Sequence, residues 1–71
     1  MNDTRYEMII YWSDEEKSFI VEVPELPGCM ADGPTYEDAV RNALLVIDEW
    51  VQIAQDIGRE IPAPKGKLMY A

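Results

Sequence analysis

Between Pro24 and Asp38 the chain reads P-E-L-P-G-C-M-A-D-G-P-T-Y-E-D, three prolines and two glycines in fifteen residues. Neither a helix nor a central strand can run through such a stretch. Proline lacks the backbone N–H both would use, and glycine loses the most conformational freedom when held in either. The chain is therefore divided here, with β-like apolar runs before it and one long helical pattern after it.

On the N-terminal side, Arg5 to Trp12 (R-Y-E-M-I-I-Y-W) is rich in β-branched and aromatic residues. Its alternation places Tyr6, Met8, Ile10 and Trp12 on one face and Glu7, Ile9 and Tyr11 on the other, and two apolar faces predict a central strand. Ser13 to Lys17 is a charged turn, and Ser18 to Val23 follows as a second strand, so the pair reads as a hairpin. Phe19, Val21 and Val23 share one face, expected to join Met8 and Ile10 as the floor beneath the helix; Ile20 and Glu22 share the other. Pro24 ends the ladder and Pro27-Gly28 is a turn signal. Cys29 to Asp32 is long enough for a brief edge strand, which Gly33-Pro34 closes.

Thr35 is the expected N-cap, with Asp38 three residues on as a variant capping box and Glu37 and Asp38 complementing the helix dipole. From Tyr36, the residues Val40, Ala43, Ile47, Trp50, Ala54 and Ile57 recur at four- and three-residue steps, the spacing of one helical face. Gly58 is placed as a left-handed C-terminal stop, giving a helix of about six turns. Ala39, Val46 and Ile53 widen one flank of the stripe, and Leu44 and Val51 the other. That is more apolar surface than a small sheet needs. Leu45 projects from the opposite side among Asp38, Arg41, Asp48, Glu49 and Gln52, a further candidate for a partner contact.

Arg59 to Pro64 leaves the helix extended, stiffened by Pro62 and Pro64. Lys65-Gly66 turns the chain, and Lys67 to Ala71 is compatible with a fourth strand. Returned beside the first strand by a right-handed crossover, it would complete a two-layer α+β fold, β-β-β-α-β, with a small mixed sheet of order 3-2-1-4 and one long helix on one face. Residues 1–71 are expected to form a single domain, without a separate DNA-binding domain.

A chain of 71 residues has a core only one layer deep, a size at which oligomerisation commonly supplies the missing burial. A dimer or higher is expected, buried through the second sheet face (Ile9, Tyr11, Ile20) or the helix flank (Val46, Ile53). The formal charge is −8, from six Lys and Arg against fourteen Asp and Glu. This disfavours direct contact with nucleic acid or anionic membrane and favours a basic partner. With a lone cysteine, an N-terminus lacking basic and apolar signal regions, and no apolar run of membrane-spanning length, the chain is expected in the cytoplasm.

Little chemistry is encoded. There is no histidine, so Cys29 lacks the commonest base that would make it a nucleophile, and it reads as a small buried hydrophobe. No glycine-rich phosphate loop is present. The carboxylates Glu7, Glu22, Glu37, Asp38 and Asp48 are candidates for a two-metal nuclease only if they converge on one point. Neither a cofactor nor a metal is expected.

Three blocks taken in order carry a resemblance: V-E-V-P-E-L-P-G-C, then G-P-T-Y-E-D-A-V-R-N-A, then I-G-R-E-I-P-A-P. Together they resemble the HicB-like antitoxin family, whose pattern runs P-D-L-P-G-C, G-D-T, E-E-A with a helix, then I-P-x-P. The likeness spans Tyr6 to Pro64. Glu25 and Pro34 stand where aspartate is usual, and Pro24, Pro27, Gly28, Cys29, Gly33, Thr35, Gly58, Pro62 and Pro64 are the motif and framework positions. The resemblance implies a degenerate ribonuclease H-like fold. It also implies a non-enzymatic antitoxin that covers a small basic HicA-type toxin, itself an mRNA-cleaving protein that uses a histidine. Two other readings are a stand-alone oligomeric domain without a toxin, and a nuclease with residual metal-dependent ribonuclease H-like activity.

Overall fold

A computed structural model describes residues 5–65 of the chain. Three strands, β1 (Ile9–Ser13), β2 (Ser18–Glu22) and β3 (Met30–Gly33), are followed by one helix, α1 (Tyr36–Ile57). Both strand pairs are antiparallel, in the order β1-β2-β3. The described sheet is three-stranded and antiparallel, and its order agrees with the first three strands of the expected 3-2-1-4; within it the middle strand is β2. The expected fourth strand, Lys67 to Ala71, lies outside the described residues. β1 is also shorter than its apolar run: Arg5 to Met8 approaches the sheet without joining its ladder.

Register follows the alternation. Ile10 faces Val21, which faces Ala31, while Tyr11 faces Ile20, which faces Asp32. One side of the sheet thus carries Phe19, Val21 and Ala31, and Val21 is fully buried there with Ala39 and Ala43 of α1. Small alanines on α1 let the helix axis come close. Gly33 matters for the same reason, since a Cβ on it would stand 2.5 Å from the Ala39 backbone nitrogen.

The proline-rich stretch forms two consecutive turns that drive one side chain inward. The Leu26 N–H donates to the Val23 carbonyl (3.1 Å) around Pro24 and Glu25, and the Cys29 N–H donates to the Leu26 carbonyl (2.9 Å) around Pro27 and Gly28. Proline followed by a glycine at φ 79° is the requirement of a type II turn. The Val23 N–H closes the loop onto the Cys29 carbonyl at 3.0 Å. Leu26 is fully buried between the turns, and with Tyr6, Val23, Cys29, Ile47 and Val51 it forms the second half of the core.

The helix ends are fixed locally. Thr35 Oγ1 accepts from the Asp38 N–H at 3.1 Å. At the other end Gly58 is left-handed, φ 72°. Its N–H donates to Gln55 and that of Arg59 to Ala54, the two bonds of a Schellman motif.

A helix of 22 residues is about 33 Å long, whereas a five-residue strand reaches only about 17 Å. Its ends overhang the sheet, so Tyr36 and Ile57, expected on the buried stripe, are 61% and 69% exposed. The C-terminal half packs instead on the turns around Leu26 and on the segment after the helix. There Ile61 joins the core and the Pro62 carbonyl accepts from the Tyr6 hydroxyl at 2.5 Å. Lys65 is tied through its N–H to the Glu25 carboxylate at 3.1 Å, with half-buried Pro64 beside it in the chain.

Candidate interaction surfaces

α1 packs chiefly over β3 and β2, which leaves the opposite side of the sheet open. The strand register gathers Ile9, Tyr11 and Ser13 of β1, Ile20 and Glu22 of β2, and Met30 and Asp32 of β3 on that side. Ile9, Tyr11 and Met30 are 42%, 43% and 50% exposed, and Ile20 is half-buried between them. All three sheet residues expected at an interface are therefore neighbours on one face. Met30 is an addition, readable once the third strand's own alternation is followed. The Tyr11 hydroxyl is held above the usual tyrosine range, first by loss of water around it and then by the Glu22 carboxylate to which it hydrogen-bonds. A shallow hollow of about 430 Å³ opens between Tyr11, Ile20, Met30, Glu16 and Asp32.

The helix flank named with Val46 and Ile53 is a separate surface. Val46 is half-buried against the core, whereas Ile53 is 57% exposed. Ile53 borders a small hollow shared with Trp50, Ala54, Ile57 and Arg59. Trp50 donates its indole N–H to the Pro27 carbonyl at 3.0 Å, and the Arg59 guanidinium lies 5.0 Å from its ring centre. Leu45 is 60% exposed on the outer face, near an exposed Arg41–Asp38 ion pair of 3.0 Å.

One exposed feature was not foreseen. Tyr36 stacks on Phe19 with ring centres 4.0 Å apart, and Trp12 meets Phe19 edge-on at 5.1 Å. This aromatic row continues into a hollow lined by Tyr36, Val40 and Leu44. The mismatch between helix length and strand length was the signal for it.

The catalytic candidates are not brought together. Among the described residues no three His, Cys, Asp or Glu side chains are grouped so as to hold a metal ion. Cys29 is buried, and burial pushes its thiol above the ordinary range, the opposite of an activated nucleophile. No helix among the described residues is long and apolar enough to cross a membrane.

A small α+β unit whose distinguishing features are exposed apolar faces, with its candidate catalytic groups dispersed, has the character of a protein-interaction module. The chain belongs to the family described as the HicB-like antitoxin of bacterial toxin–antitoxin systems, whose pattern matches residues 6–69. It is similar to UPF0150 protein ssl0259 of Synechocystis, 32% identical over 63 residues that cover 89% of this chain and 85% of the relative. It is also similar to UPF0150 protein Ta0767 of Thermoplasma acidophilum, 32% identical over 54 residues, 76% of this chain and 78% of that one. No solved structure matches the chain significantly.

Proposed function

We propose that this chain is the antitoxin of a type II toxin–antitoxin pair. It neutralises a small basic HicA-type mRNA-cleaving toxin by binding it and occluding its active surface, without catalysis of its own. The observation that carries the reading is the family match along residues 6–69. The net charge of −8 agrees with it, because opposite net charges accelerate encounter and disfavour wrong partners.

The antitoxin works in the cytoplasm as a homo-oligomer. The helix flank of Val46 and Ile53 supplies the self-contact. The test is growth rescue. Expression of a HicA-type toxin from the reading frame beside this one arrests growth, and co-expression of this chain restores it and retains the toxin in a pull-down. If no such neighbour is found and no HicA-type toxin is retained, the reading falls and a stand-alone oligomeric domain takes its place.

A further inference from the structure

We infer that the open face of the sheet, centred on the hollow between Tyr11, Ile20, Met30 and Asp32, docks a basic protein and seats one of its Lys or Arg side chains. The proposal rests on the antitoxin reading for the identity of that partner, and on the surface itself for where it binds.

Three observations converge. The face is apolar at its centre, through Ile9, Tyr11, Ile20 and Met30, three of them at least 42% exposed. It is concave, with a hollow of about 430 Å³. Its charged groups among the described residues all have one sign: Glu16 and Asp32 line the hollow, and Glu22 lies beside it on the same face of β2, hydrogen-bonded to Tyr11. Among the described residues no Lys or Arg lines the hollow, and none lies within β1, β2 or β3. An aromatic ring and carboxylates around an apolar floor are what a guanidinium or ammonium with its alkyl stem requires.

The same charges exclude a second copy as the occupant. A two-fold contact joins identical patches, so Glu16, Glu22 and Asp32 of one subunit would meet the same three of the other with no cation among the described residues of the face between them. A basic partner removes that repulsion. The helix flank of Ile53 and Ile57 carries Arg59, a cation that the described residues of the sheet face lack.

The test uses two probes, a catalytically inactivated HicA-type toxin and hexa-arginine. Replacing the rim carboxylates, Glu16→Lys with Asp32→Lys, is expected to weaken toxin binding by about tenfold or more, while Glu49→Lys with Asp56→Lys on the outer helix face changes it by less than about threefold. Glu16→Lys alone, in an exposed turn, serves if the double variant fails to fold. In an NMR titration hexa-arginine is expected to move the amides of Tyr11, Ile20, Met30 and Asp32. Shifts confined to α1, or a loss of toxin binding only in the helix variant, would overturn the assignment. So would a change in sedimentation of the sheet variant, which would mark the face as a self-contact. Wild-type chain that binds hexa-arginine at the sheet but no toxin retains the surface and removes the antitoxin reading; toxin binding undisturbed by the sheet variant does the reverse.

Discussion

The Tyr6 hydroxyl donates to the Pro62 carbonyl at 2.5 Å, joining residues 56 positions apart in sequence. Tyr6 is only 6% exposed, so the part-buried bond is partly shielded from water and holds the segment after the helix against the approach to β1. Tyr6→Phe keeps the ring and leaves the carbonyl without this donor, at an expected cost of about 0.5–1.5 kcal/mol. Urea denaturation at matched protein concentration measures it. Hydrogen exchange should quicken at Ile61 and its neighbours and remain unchanged in β2.

Leu26 is fully buried between two turns, and its truncation opens a cavity among Val23, Cys29 and Ile47. Leu26→Ala is expected to cost about 2–5 kcal/mol, a large share of the margin of a small domain. Loss of less than 1 kcal/mol in denaturant titration would mean that the turns collapse onto the space.

Two glycines should respond to alanine for different reasons. At Gly33 the new methyl would meet backbone atoms of Asp38 and Ala39 at 2.8 and 2.5 Å, and the helix start must move, at about 1–3 kcal/mol. At Gly28 nothing lies within 4 Å, but φ is 79°, and the left-handed backbone itself costs about 1–2 kcal/mol. Amide protection at Ala39 distinguishes them, falling for Gly33→Ala alone.

Burial raises the Cys29 thiol, so the folded chain holds this proton more tightly than the unfolded chain. Its contribution to stability is complete below the unfolded thiol pKa and is lost as pH rises through the folded value. Alkylation by iodoacetamide should be slow in the native state and fast in urea. Stability should decline on the alkaline side less steeply in Cys29→Ala than in the parent.

Ile53 is 57% exposed on the helix flank proposed for self-contact. Ile53→Asp is expected to yield monomers in sedimentation velocity with the circular dichroism of the parent. An unchanged oligomer would remove this flank from the assembly.

What was legible beforehand was whatever depends on neighbours in the chain. Thr35, Gly58 and the stripe between them define α1 because caps and helical periodicity are set by residues within a turn or two. The facing of Ile10, Phe19, Val21 and Val23 follows from strand alternation, and the same alternation united Ile9, Tyr11 and Ile20 on one open face. The Arg5–Trp12 run misled about length: apolar residues at Tyr6 and Met8 serve the core from a segment outside the ladder, and burial alone does not distinguish that segment from a strand. Tyr36 and Ile57 misled because periodicity names a face of the helix without saying how far the sheet beneath it extends.

By itself the sequence determined the three described strands and the helix, the helix caps and the turn at Pro27-Gly28, all consequences of short-range geometry. Only the tertiary structure decided that α1 lies over β2 and β3, that its ends overhang, and that Glu16, Glu22 and Asp32 share a face with Tyr11 and Met30. Those relations join residues far apart in the chain. They are set by how close two surfaces can pack, as with Gly33 against Ala39, which no local pattern specifies.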